Sequence, residues 1–420
     1  MAATCYDESG CAAAEGIMKR QKTAIMTLLL GLLVCASLVF GAVTRASAQG
    51  TAPGVSGKEV TLGAWTPESG LATVLLSISQ GADAYFRWSN DHGGINGYHF
   101  KFVLANDQYN PALTPAAARR LVEVDKAFAI VTAVGTPSNV AALSYISRVG
   151  IPNVGPLTGD PALTHPVRKN IFTVMPDYTT EGAFQAQFAL DNLHSKSLAV
   201  IYQNDALGKS GVDGVVKLLA QRGLKAATTV PYDLGTVNFT PMIARLKASG
   251  ADTVIVWGSV PPFVPILKGA QALGYQPKWL AYLFDAAPAV LDQIPPAQVS
   301  NAYFDSWVPL PSDAAMAAYR EAMAKYYPQV TSSSFLPATG WALASVFSSG
   351  FSRMVAGGAE PSWSGLEGAL EGMHDFSNAY VHGLTFAPDN HQGEPAEYVM
   401  KYESGKFVKV APYMPLPAIH

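Results

Sequence analysis

The chain has 420 residues, 49% of them hydrophobic and 14% charged, the profile of a folded globular protein. A formal net charge of −3 leaves no electrostatic reason to bind nucleic acid or an anionic membrane. Cys5, Cys11 and Cys35 are the only cysteines and all precede residue 49, so a chain processed there has no disulfide, thiolate metal site or cysteine nucleophile.

Residues 1–48 read as a leader. Met18-Lys19-Arg20-Gln21-Lys22 is followed by an apolar run from Thr23 to Val43 and then by Ala46-Ser47-Ala48-Gln49. A basic segment, an apolar segment and an A-x-A site make a secretory signal peptide. The run is long enough to span a bilayer. Small residues end it and the cleavage site follows at once, so removal near Ala48 and a periplasmic destination are expected. Val34 before Cys35 argues against a lipoprotein, and Met18 is a better start than Met1. Residues 49–57 form a Gly/Pro/Ser tether. About 372 residues follow the leader (420 − 48), ample for a buried core and suggestive of two domains.

The mature chain alternates strand and helix. Val60 to Trp65 reads as a buried strand. Ile78, Ala82, Tyr85 and Ser89 then share one face of a helix that stops at Gly93-Gly94. Asn96-Gly97 turns the chain into a strand from Phe100 to Leu104. A helix from Thr114 leads to a strand from Phe128 to Val134, and a helix from Ser138 leads to a strand from Ile151 to Val154. After Asp177 the pattern restarts. Helices are predicted at Thr180 to Leu193, Lys209 to Gln221, Thr240 to Ala248 and Pro262 to Leu273. Between them come strands at Leu198 to Tyr202, Thr228 to Tyr232, Thr253 to Trp257 and Trp279 to Leu283. Two such runs predict two parallel sheets covered by helices on both faces, with right-handed crossovers. From Ser306 the character changes. Helices are predicted at Asp313 to Tyr327, Pro337 to Ala356 and Ser364 to Gly372, with short strands at His382 to Phe386, Glu397 to Tyr402 and Phe407 to Val410.

Signatures of catalysis are missing from the sequence. Gly208-Lys209-Ser210 resembles the end of a P-loop, but Gln203 stands where its first glycine belongs. No G-x-G-x-x-G follows a strand, and there is neither a G-x-S-x-G elbow nor an H-E-x-x-H. His382 and His391 flank an acidic loop, but no metal is expected there. Glu367 and Glu371, at helical i, i+4 spacing, read as a solvated face. No cofactor, metal or catalytic residue is expected. An exported α/β protein without these signatures points to binding.

The residues that carry a resemblance are Leu62-Gly63-Ala64, Gly93-Gly94-Ile95-Asn96-Gly97, Asp107 and Gly150-Ile151-Pro152. Further on come Ile201-Tyr202-Gln203-Asn204-Asp205 with Gly208, Asp233, Asn238-Phe239-Thr240, Ala244-Arg245-Leu246-Lys247, Ala251-Asp252 and Gly258. Their order over residues 58–410 resembles the leucine/isoleucine/valine-binding type of periplasmic solute-binding protein. The resemblance implies an α/β fold of two Rossmann-like, doubly wound lobes joined by three crossover segments, the type I periplasmic binding protein fold. Lobe one is expected to take residues 58–177 and 306–383, and lobe two residues 178–305 and 384–420. It also implies a monomer that clamps a small-molecule solute and delivers it to an inner-membrane ABC permease. A ligand-binding component that reports to a sensor or receptor is the alternative.

By the same resemblance, Thr136, Pro137 and Ser138 hold a ligand carboxylate at a helix start. The physics of a helix N-terminus suits an anion, and one of the two hydroxyls is also expected to cap that helix. Leu157, Thr158 and Gly159 form the loop that meets the ligand's amino group, and Trp65, Thr66 and Ser69 roof the pocket. In lobe two the sequence departs from amino-acid binders. Leu207 replaces a tyrosine, and Val260 lies in a loop that has lost its aromatic residue. Asp285 sits about two places later than the ammonium-binding acid, and Phe284 precedes it. These apolar loops suit an aromatic or aliphatic acid, in which case Asp285 is expected to face solvent or cap the next helix. With an amino acid, Asp285 would instead neutralise the ammonium.

Overall fold

The computed structural model describes residues 52–258, 263–286, 288–294, 296–393 and 395–419. The leader and its cleavage site lie outside the described residues, as does Val260. Among the described residues no helix is long and apolar enough to cross a membrane.

Two sheets organise the chain. The first holds β1 (Val55–Ser56), β2 (Glu59–Thr66), β3 (His99–Asn106), β4 (Ala129–Val131), β5 (Asn153–Val154) and β6 (Ile171–Phe172). Its parallel strands run in the order β3-β2-β4-β5-β6, with β1 antiparallel to the start of β2. The helices α1 (Leu76–Asp91), α2 (Thr114–Arg119) and α3 (Thr136–Val149) connect them. The second sheet holds β7 (Leu198–Gln203), β8 (Thr228–Tyr232), β9 (Thr253–Trp257), β10 (Lys278–Ala281) and β11 (Ala302–Ser306). These are parallel in the order β8-β7-β9-β10-β11. Two antiparallel strands, β12 (Glu397–Glu403) and β13 (Lys406–Met414), extend the β11 edge.

Both parallel sheets share one strand order: second, first, third, fourth, fifth. A ligand in such a sheet binds beyond the carboxyl ends of the strands where the order reverses. That point lies between β2 and β4 in the first lobe and between β7 and β9 in the second. The central strands are buried on both faces; all five residues of β9 are buried, as expected for strands covered by helices.

The chain passes between the sheets at three places. After Phe172 it enters α4 (Tyr178–Asp191), which packs on α5 (Ala206–Gln221) against the second sheet. After Ser306 it returns to the first lobe, where α8 (Ala317–Tyr326) and α9 (Phe335–Met354) pack on α1. The intervening helices of the second lobe are α6 (Thr240–Ala248) and α7 (Phe263–Ala272). α10 (Trp363–Glu371) packs on α9, and the chain re-enters the second sheet at Glu397. The α1–α9 crossing is close because glycines form it. A Cβ on Gly340 would sit 1.8 Å from the Ile78 carbonyl oxygen, and one on Gly81 1.9 Å from that of Pro337. Beside it the buried Trp341 meets Tyr85 edge-on at 4.9 Å.

The two β-α runs appear as predicted, with local departures. β4 is shorter than the expected Phe128 to Val134 because Thr132 adopts a left-handed backbone, φ 58°. The strand expected at His382 to Phe386 is absent. Gly383 takes φ 73°, and only an isolated bridge joins Leu384 to Phe376. β6 and β11 were not foreseen. Glu367 is not on a solvated face: it is buried and pairs with Lys169 at 3.2 Å, while Glu371 lies 3.3 Å from His391 Nε2. His391 itself stacks on Phe172 at 4.0 Å, a packing role.

Candidate functional site: the cleft at the two switch points

In the first lobe the site begins at the turn before α3. Gly135 takes φ +99°, and a Cβ there would lie 2.6 Å from the Tyr109 ring. Only glycine meets both conditions without strain. It is the N-cap of α3, and no side chain caps the helix. The expectation that Thr136 or Ser138 caps it is therefore corrected. Ser138 instead donates to Asp107 Oδ2 at 2.5 Å, and Thr114 donates to the same oxygen. Thr136 donates to Thr158 Oγ1 at 2.9 Å and lies 3.3 Å from the Tyr178 hydroxyl. The Thr158 hydroxyl also accepts from the Asp160 N–H. Thus Thr136 and Thr158 come together, while the Ser138 hydroxyl is turned away to a buried carboxylate.

The remaining first-lobe residues separate into two groups. Leu157 is buried and its N–H donates to the Ala133 carbonyl. Gly159 accepts from the Tyr178 N–H at 2.8 Å, and a Cβ on it would lie 2.0 Å from the Pro176 carbonyl oxygen. Pro137 occupies the first turn of α3. The expected roof is different. Trp65 is fully buried in a hydrophobic cluster with Leu121, Ile130 and Ile146, so it belongs to the core and not to a pocket wall. Thr66 is buried and accepts from Ser79. Ser69 is exposed and accepts from Asn106 at 2.9 Å.

The second lobe contributes an aromatic wall. Tyr178, the first residue of α4, stands edge-on to Trp257 and to Tyr282, each at 5.9 Å. Trp257 and Tyr282 lie 5.1 Å apart, and Tyr282 meets Phe284 at 4.8 Å. Leu207 is buried, and its carbonyl accepts from Trp257 Nε1 at 2.9 Å. Burial pushes the Tyr178 and Tyr282 phenols well above their ordinary range. Sequence reasoning missed Tyr178, Trp257 and Tyr232. Position was the available signal: Trp257 ends β9 at the switch point, and Tyr178 directly follows the first crossover.

Asp285 is the unexpected member. It is 3% exposed, and among the described residues neither carboxylate oxygen has a hydrogen-bond partner. It neither faces solvent nor caps a helix, which corrects the expectation for an acid ligand. Burial drives its pKa well up, and Asp305 adds to the shift. The nearby Tyr232 hydroxyl is likewise buried without a partner among the described residues. Buried polar groups are nearly always paired, which sets Asp285 and Tyr232 apart from most buried polar groups of the chain.

Residues 59–406 match the periplasmic binding protein family. The chain belongs to that family, which is periplasmic and binds small-molecule solutes. An amino acid binding protein of Pseudomonas aeruginosa is 26% identical over 224 residues, covering 53% of this chain and 60% of the relative. The chain thus matches about three fifths of that relative's length. A branched-chain amino acid ABC transporter protein from Thermus thermophilus with bound valine has TM-score 0.77 and 18% identity, covering 86% and 97% of the two chains. A solute-binding protein from R. palustris in complex with benzoate has TM-score 0.72 and 18% identity, covering 86% and 98%. At these identities the structural likeness establishes the type I periplasmic binding protein fold.

Proposed function

We propose that this protein is the extracytoplasmic substrate-binding component of an ABC importer, exported by a signal peptide cleaved near Ala48. Its two lobes, residues 58–177 with 306–383 and residues 178–305 with 384–420, close on a carboxylate-bearing solute. The observation that carries this reading is the start of α3. It is a 14-residue helix whose N-terminus no side chain caps. Its free N–H groups and partial positive charge favour an anion, and Thr136 and Thr158 stand beside it. Valine and benzoate, the ligands of the two similar structures, are both carboxylates.

Asp285 narrows the class. A buried, unpartnered carboxylate is stabilised by a cation, and an α-amino acid brings an ammonium together with its carboxylate. The wall of Tyr178, Trp257, Tyr282 and Phe284 suits an apolar side chain. The favoured solute is therefore an aliphatic or aromatic amino acid, with the corresponding acid lacking the ammonium as the weaker ligand.

A thermal-shift panel tests this reading. It should include amino acids, the matching acids without the amino group, and the matching amines without the carboxylate. A true ligand at 100 times its dissociation constant adds about 2.7 kcal/mol of stability. The amines should give no shift. A shift with an amine equal to that with its amino acid would reject the carboxylate seat.

A further inference from the structure

A second cluster of buried polar groups lies near Asp285 and Tyr282. Glu181, Asp305 and Glu397 come from α4, β11 and β12, and their carboxylate oxygens lie within 4.8 Å of one another. All three are buried: 0%, 3% and 0% exposed. Glu181 and Glu397 face each other carboxyl to carboxyl. Among the described residues neither Glu181 nor Asp305 is ion-paired with a lysine, arginine or histidine. A second observation comes from a residue that is not an acid. Gln185, one turn after Glu181 on α4, is 1% exposed; its head group reaches Asp305, with Nε2 donating to Oδ2 at 2.8 Å. Its carbonyl oxygen, Oε1, is buried without a partner among the described residues.

Topology explains why these groups meet. Glu181 follows the first passage between the lobes by one turn of helix. Asp305 is the penultimate residue of β11, just before the second passage. Glu397 opens β12, just after the third. Each of the three connections therefore delivers one acid to the same point.

We propose that Glu181, Asp305 and Glu397, together with Gln185 Oε1, form a binding site for a hard dication of the Ca²⁺ kind at the base of the hinge. The donor set is all oxygen: three carboxylates and an amide carbonyl, the ligands Ca²⁺ prefers. An ion with bonds of about 2.4 Å can bridge oxygens up to about 4.8 Å apart. The alternative is that the cluster keeps itself neutral with protons alone. Placed where it is, the ion ties the three connections together and stabilises the hinge independently of any solute in the cleft.

The test uses the full mature chain, stripped with a chelator and without added solute. Melting is followed with and without Ca²⁺, and Tb³⁺ luminescence is excited through the nearby Tyr282 and Trp257. We expect one equivalent of Tb³⁺ to bind, Ca²⁺ to displace it, and Ca²⁺ to raise the melting temperature by several degrees. Glu181→Gln removes a ligand charge and relieves repulsion in the metal-free cluster. It should still fold, melt no lower than wild type without metal, and bind Tb³⁺ at least tenfold more weakly. Asp305→Asn is the independent second variant. Absence of both the luminescence and the melting shift in wild type would overturn the proposal in favour of a proton-held cluster. Metal binding that both variants leave unchanged would overturn it as well, by placing the ion elsewhere. Solute binding enters none of these readouts, so failure here is separate from failure of the solute reading.

Discussion

The two faces of the cleft are built on the same strand order but in different states of completion. On the first-lobe face the hydroxyls are committed to each other. Thr136 bonds Thr158, Ser138 bonds Asp107, and Thr158 also holds the Asp160 N–H. On the second-lobe face Asp285 and the Tyr232 hydroxyl are buried without partners among the described residues, beside a wall of aromatic rings. A preorganised face presents donors at little reorganisation cost. A face with unpaired groups rejects any ligand that fails to pair them. On the proposed reading, the first lobe would meet the feature common to many solutes, a carboxylate, and the second would distinguish among them.

Asp285→Asn is the sharpest way to break this contrast. If the second face pairs an ammonium, removing the charge leaves a buried cation alone, which costs roughly 3–5 kcal/mol. Amino-acid affinity should then fall by on the order of a hundred- to a thousandfold, measured by calorimetry. Binding of the matching acid without the amino group should be unchanged or improved. If Asp285→Asn is silent for the tightest amino acid, the second lobe does not read ammonium.

Thr136→Val probes the other face. It keeps the shape but removes a hydroxyl next to a charged group, and hydrogen bonds to charged groups are worth roughly 1.5–3 kcal/mol. Affinity should drop about ten- to a hundredfold for amino acids and plain acids alike. A loss confined to amino acids would mean that the division of labour between the faces is wrong. Trp257→Phe acts on the wall and should be read in stability. It removes the indole N–H from the Leu207 carbonyl, which keeps its own partner within α5, so the loss is one buried hydrogen bond, about 0.5–1.5 kcal/mol; a urea midpoint equal to wild type would show that this bond adds nothing to stability.

The sequence marks the strands and helices of the first lobe locally, but it was the family resemblance that singled out the loops after its third and fourth strands. Gly135-Thr136-Pro137-Ser138 and Leu157-Thr158-Gly159 follow short apolar runs at the carboxyl ends of strands. What each hydroxyl binds was not legible. Ser138 meets Asp107 from 31 positions away, and no local pattern encodes such a pair. Trp65 shows the opposite limit: a residue at the right strand end whose side chain is drawn into the core. The second-lobe wall depends on Tyr178, Trp257 and Tyr282, three residues far apart in sequence that only the second sheet and its first helix bring together. The acids of the hinge were invisible for the same reason. Asp305 lies in a strand that was not anticipated, and Glu181 and Glu397 are separated by most of the second lobe.

The smallest expected effect lies where the two faces touch. Asp160 of the first lobe lies 3.5 Å from the Ser210 hydroxyl on α5 of the second, with Asp205 nearby. Burial raises the Asp160 pKa above its ordinary 3.8, and Asp205 adds to the rise, against the bonds from Ala162 and Ser210. A carboxyl whose pKa is raised on folding stabilises the fold while protonated. That contribution is fully present below the unfolded value and is lost as pH rises through the folded one. Asp160→Asn cannot ionise, and asparagine still caps the turn through the Ala162 N–H. The variant's stability relative to wild type should therefore increase as pH rises from about 3.8 and level off once Asp160 is ionised. Paired urea titrations from acid to neutral pH give that difference directly, because groups common to both proteins cancel. A difference that stays flat across the range would mean that folding leaves the Asp160 pKa unshifted, so that the acidic contact between the faces carries no pH-dependent stability.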